Sequence, residues 1–188
     1  MSDSAKAFFV QSFGLALFCA IMGIVLMLVL FCSRNLARKV PTNYILLLAF
    51  TVCEAYIVAY CCAVVGDAKL VLSAAFMTAG IVVGLTIYAM TTKTDFTFCG
   101  GMLYVIGSAF ILFSLFSFLF GPTARLVYCT LGVILFGVYL VFDTQLVIGG
   151  RSYELEKEDY IFGAVILYLD ILNIFLYVLQ ILAALSNN

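Results

Sequence analysis

Charged residues along this chain gather in short clusters that separate six apolar stretches: Ala7 to Ser33, Val40 to Gly66, Leu70 to Thr92, Phe96 to Ala124, Leu126 to Gly150 and Tyr160 to Leu182. Each exceeds the roughly 20 residues an α-helix needs to cross about 30 Å of hydrocarbon. Lipid cannot hydrogen-bond an exposed backbone, so helices are the expected form. The pattern predicts an all-α membrane protein of six transmembrane helices, one multi-pass domain over residues 1–188 with no soluble appendage. Before the first stretch stand Asp3 and only Lys6, without a basic n-region or a small-residue cleavage site, so it reads as a retained span.

Composition agrees: 66% of residues are hydrophobic, 10% are charged, and the mean hydropathy is +1.23. The formal net charge is −1 with no block of basic residues, which argues against nucleic-acid binding and against a polybasic lipid-recognition patch. The bilayer itself is the expected partner. Connections on one side hold Lys6, Lys69 and Arg125, and those on the other hold Arg34, Arg38, Lys39, Lys93, Arg151 and Lys157. The positive-inside rule puts the second side in the cytoplasm and both termini outside or in a lumen.

Seven cysteines, an odd number, all lie in or at the ends of apolar stretches, so a disulfide framework is not expected and buried packing is. Histidine is absent, which removes HExxH zinc sites, Ser-His-Asp triads and the usual near-neutral switch. Any pH sensing falls to carboxylates. Asp143 and Asp170 stand out, because a charge near the middle of a membrane helix costs roughly 2.5 to 3.5 kcal/mol on insertion scales.

Asp143 lies seven residues before the end of the fifth stretch and Asp170 ten residues after the start of the sixth. Both are then roughly 10 to 15 Å from the basic side. The short turn from Arg151 to Asp159 allows the two helices to pack as neighbours. Glu54 enters from the same side to a comparable depth, a candidate third carboxylate of one cavity. Two carboxylates a few ångströms apart cannot both ionise cheaply, so they tend to share a proton. Its loss would favour separation or entry of a hard cation, calcium being the natural candidate at Asp143 and Asp170. The alternative is that each acid bonds locally, to Thr144, Gln145, Asn173 or a basic residue, and fixes helix packing.

Phe142-Asp143-Thr144-Gln145-Leu146, Tyr160-Ile161-Phe162 and Leu167 through Leu176 resemble the C-terminal signature of the transmembrane Bax-inhibitor-motif family, nearest its Lifeguard branch. Arg38 through Asn43 and Thr94-Asp95-Phe96-Thr97 extend the similarity over most of the chain. The resemblance implies helices bundled around the C-terminal helix, a proton-sensitive calcium leak regulated by Asp143 and Asp170, and a link to cell-death regulation. It also implies an arginine that pairs with an aspartate to close the path, for which Arg34 and Arg38 both qualify; as ordinary residues they are interfacial anchors. An endoplasmic reticulum or Golgi membrane follows from the family.

The family resemblance implies seven spans, and the six stretches here are expected to correspond to the second through the seventh. A rival expectation follows: a non-conducting accessory subunit, its first-helix groove filled by another membrane protein or lipid, with the mitochondrial inner membrane then open. No enzyme is expected, since no nucleophile has a base and no phosphate loop follows a strand. An intramembrane aspartyl protease lacks its usual Tyr-Asp and Gly-x-Gly-Asp contexts here. Gly80 and Gly84 have the spacing of a close helix contact. Glu154, Glu156, Glu158 and Asp159 either draw cations to the mouth or suit the start of the last helix. Tyr44, Tyr128 and Tyr160 read as interfacial anchors, and the run from Phe110 to Phe120 as lipid or helix contact.

Overall fold

The computed structural model describes residues 8–9, 11–116 and 121–186, and all regular structure among them is helical. In order come α1 (Phe13–Cys32), the short α2 (Arg34–Arg38), α3 (Thr42–Val65), α4 (Ala68–Thr91), α5 (Gly100–Leu115), α6 (Pro122–Ile148) and α7 (Tyr160–Ser186). Single 3-10 turns, Thr97–Cys99 and Lys157–Asp159, lead into α5 and α7. Among the described residues, six helices are long and apolar enough to cross a membrane, matching the six predicted stretches. The chain is a multi-pass membrane protein whose outer surface meets a lipid bilayer. Lys6, the expected start of the first span at Ala7, and residues 117–120 of the phenylalanine run lie outside the described residues.

Local chemistry explains where the spans stop. Gly66 takes a left-handed conformation, φ 76°, and its N–H reaches the Cys62 carbonyl, a C-cap that closes α3. Asp67 then accepts the Lys69 N–H at 2.8 Å and opens α4. Pro122 begins α6, where its missing N–H costs nothing. The helix therefore starts earlier than Leu126, and Arg125 is carried on its outer end. Gly149 and Gly150, with φ of 76° and 72°, end it. The unpredicted α2 occupies the basic stretch after α1.

The last two spans are the most enclosed: 39% of the α6 window and 44% of the α7 window are buried, against 6% for α3. The chain divides into two units, Met1–Leu72 with Glu156–Val165, and Ser73–Leu155 with Ile166–Asn188. In the first, α1 packs against α3. Gly23 leaves a notch there, filled by the Glu54 carboxyl, whose Oε1 lies 2.7 Å from where a Cβ would be. Phe31 and Phe162 meet at 4.8 Å between ring centres.

In the second unit, Phe110 stacks on Tyr128 at 4.3 Å, and Tyr177 meets both edge-on at 5.9 Å. Tyr128 is half-buried among these rings, whereas Tyr44 and Tyr160 are exposed. Close approach occurs where Gly132 admits the Tyr177 ring and Gly107 admits the Tyr139 hydroxyl. The close contact expected at Gly80 and Gly84 is not made among the described residues, where a Cβ at either would meet nothing within 4 Å.

Candidate ion site and its polar surround

Asp143 on α6 and Asp170 on α7 both belong to the second unit, and only 8% and 4% of their surfaces are exposed. Their carboxyl groups lie within hydrogen-bonding reach of each other. An ionised carboxylate only accepts, so a hydrogen bond between them needs a proton on one of the two groups. Asp170 Oδ2 is buried without a hydrogen-bond partner. Two side chains that could have satisfied the acids locally are committed elsewhere: Asn173 donates to its own helix at the Leu169 carbonyl, 2.8 Å away, and Gln145 points to another element. Among the described residues, no three His, Cys, Asp or Glu side chains gather closely enough to hold a metal ion.

Gln145 is 1% exposed. Its side-chain oxygen accepts the Phe96 N–H at 2.8 Å, and its amide donates to Thr94 O at 3.0 Å and Ala89 O at 3.2 Å. The last is a carbonyl of the final turn of α4, one of the groups a helix end leaves unpaired. Beside it, Asp95 accepts from the Thr97 N–H and hydroxyl and from the Ser152 N–H, at 2.9, 2.6 and 2.9 Å. Hydrogen bonds from Ser152, then Thr97, hold the Asp95 carboxyl well below the usual carboxylate range. Arg151 donates to Thr92 O and Lys93 O, so the connection after α4 and the one after α6 are fastened by charged and polar bonds from both sides.

In the first unit, Arg38 faces Glu156, Glu158 and Asp159. Its pairs with Asp159, then Glu156, raise its already high pKa. Arg34 lies on the same short helix, exposed, with its charge felt at Asp159. The acids that precede α7 thus hold a guanidinium as well as opening the helix. Glu154 is separate, accepting the Gly150 N–H at 2.8 Å. Glu54 is half-buried in the Gly23 notch of this unit. All seven cysteines are free thiols.

Sequence reasoning listed Gln145 only as a local partner for the aspartates, Arg151 only as a topology charge and Asp95 only as part of the family similarity. One signal was available: three consecutive polar residues, 143 to 145, near the end of an apolar span must all find partners on different sides of the helix.

Residues 4–187 match the family model described as inhibitor of apoptosis-promoting Bax1. The chain is 34% identical to Protein lifeguard 3 of Homo sapiens over 164 residues, covering 85% of this chain and 52% of that protein. The Mus musculus protein of that name is 34% identical over 162 residues, 84% of this chain and 52% of the relative. Protein LIFEGUARD 3 of Arabidopsis thaliana is 36% identical over 187 residues, 96% of this chain and 73% of the relative. The chain spans about half the length of the two mammalian relatives. With nearly the whole chain matched in order, it belongs to the Bax1-I family of inhibitors of apoptosis-promoting Bax1, among relatives named lifeguard.

Proposed function

We propose that this chain is a proton-sensitive cation leak with calcium as its cargo and the Asp143–Asp170 pair as its sensor. The observation that carries the reading is a pair of buried carboxyls within reach of each other, with one oxygen, Asp170 Oδ2, left unpartnered. While one proton is shared, the pair is closed and carries a single negative charge. Loss of that proton leaves two negative charges in a low-dielectric setting, where they repel and attract a divalent cation. Two carboxylates supply at most four oxygens, whereas calcium takes six to eight. An ion there keeps water ligands, which suits passage better than storage.

Reconstitution of the purified chain into liposomes with a trapped calcium dye tests the reading. Calcium entry that rises as the proton concentration falls is the expected result. A silent protein that copurifies from native membranes with another membrane protein in fixed ratio would favour the accessory-subunit reading. On the family resemblance we place the protein in endoplasmic reticulum or Golgi membranes, with a role in restraining cell death.

A further inference from the structure

Tyr177 and Gln180 follow Asp170 on α7 by seven and ten residues, a spacing that keeps all three on one side of the helix. On α6, Phe136, Gly132, Cys129 and Arg125 precede Asp143 by 7, 11, 14 and 18 residues, again one face. The two faces meet. The Phe136 and Tyr177 ring centres stand 5.9 Å apart, and a Cβ on Gly132 would stand 2.8 Å from the Tyr177 ring. Gln180 Oε1 accepts from Arg125 Nη2 at 3.4 Å and from Cys129 Sγ at 3.7 Å. A seam with polar groups thus runs from the level of the aspartates to the outer end of both helices, Gln180 lying about 15 Å beyond Asp170. We propose that this seam is the outer half of the cation's route, and that the Tyr177 ring, seated on Gly132, is the side chain that closes it. The inference rests on the reading of the chain as a cation leak.

Bond lengths mark the outer side as the yielding one. Toward the basic side, Gln145 and Asp95 make hydrogen bonds of 2.6 to 3.2 Å. Along the seam, the contacts of Gln180 and the one between the Tyr128 and Tyr177 hydroxyls are 3.4 to 3.7 Å long. Ordinary hydrogen bonds to oxygen end at about 3.2 Å, so these give up little when water or a hydrated ion takes their place. Polar groups turned inward between membrane helices are costly unless they pair or border a wet path, and these pair poorly.

What blocks the seam is a ring. Tyr177 lies edge-on to Phe110 and Tyr128 and fills the space that Gly132 has no side chain to occupy. Rotation of that ring off Gly132 opens the seam between its two ends. Arg125, exposed at the outer end, sets a positive charge where a cation would enter, so the mouth is a barrier and not a binding site.

Cys129 is a native reporter: a free thiol, 2% exposed, one turn outward of Gly132. The full chain is reconstituted in liposomes with a trapped calcium dye and exposed to a charged, membrane-impermeant methanethiosulfonate, and adducts at each cysteine are read by peptide mass spectrometry. Tyr177→Ala should raise both calcium flux and the rate of Cys129 labelling tenfold or more. Tyr177→Phe, which keeps the ring, should match wild type in both. Cys53, packed beside Gly23, controls for general loosening, and its labelling should not change. A folded Tyr177→Ala protein that labels and conducts like wild type overturns the proposal, as does faster labelling of Cys129 without added flux. Equal acceleration at Cys53 overturns it too and makes Tyr177 a packing residue only. Should Tyr177→Ala not fold, Tyr177→Leu removes the ring while keeping apolar bulk, and the same outcomes decide. Absence of flux from wild type and every variant would instead reject the leak itself, and this inference with it.

Discussion

Arg38 and Asp159, 121 residues apart in sequence, are joined by two hydrogen bonds, Nε to Oδ1 at 2.7 Å and Nη2 to Oδ2 at 2.8 Å. The fork of a guanidinium matches the two oxygens of one carboxylate, a fit an ammonium cannot reproduce. Glu156 and Glu158 add to the same guanidinium from exposed positions, 65% and 74% accessible, where salt screens them. Asp159, at 15%, is shielded.

Arg38→Lys should therefore lower the Tm in low salt even though charge is kept. Raising the salt concentration to about 1 M, where the Debye length falls to about 3 Å, should narrow the gap to wild type without closing it. Thermal unfolding in detergent at the two ionic strengths measures this. A lysine variant as stable as wild type in low salt would show that the fork geometry contributes nothing.

Asp95 carries a pH prediction. Its folded-state pKa lies below the ordinary value of 3.8, so its contribution is present above that value and disappears only as pH falls through the depressed one. Asp95→Asn should lower the Tm at neutral pH by an amount that stays constant down to about pH 5, well above the ordinary carboxylate range. Only under strongly acidic conditions should the two proteins converge. Convergence at mildly acidic pH would mean that the clasp with Ser152 and Thr97 does not hold in the membrane.

Two glycines separate a rigid neighbour from a yielding one. At Gly132 an added Cβ would stand 2.8 Å from the Tyr177 ring, which is wedged among Phe110, Tyr128 and Phe136. Gly132→Ala should cost about 1–3 kcal/mol, the usual range for overpacking. At Gly23 the obstacle is the tip of the Glu54 side chain, which can swing aside. Gly23→Ala should be the milder change, and chemical unfolding of the two variants ranks them.

Much of the fold was legible because a bilayer demands long apolar helices, and charge clusters at 33–41, 66–70 and 149–159 could only be ends. That Asp143 and Asp170 could stand at one level followed from counting residues along two neighbouring spans. Helix ends needed more than hydropathy: Pro122 could start α6 because the first turn spares its N–H, which a count of apolar residues does not register. The partners of Gln145 and Arg38 were not legible. Gln145 bonds main-chain groups around 50 residues away and Arg38 reaches acids about 120 away, so neither pairing leaves a local spacing in the sequence. Gly80 and Gly84 show the converse, a readable spacing with no surface against it among the described residues.

The central claim is that Asp143 and Asp170 hold one proton in common and that its loss opens a path for calcium. The most direct measurement is the pH profile of calcium flux in liposomes for Asp143→Asn, Asp170→Asn and the double variant. Either single change should abolish the wild-type pH dependence, and the double change should add nothing, because one shared proton can be removed only once. Two single variants that each keep the wild-type profile would contradict the account.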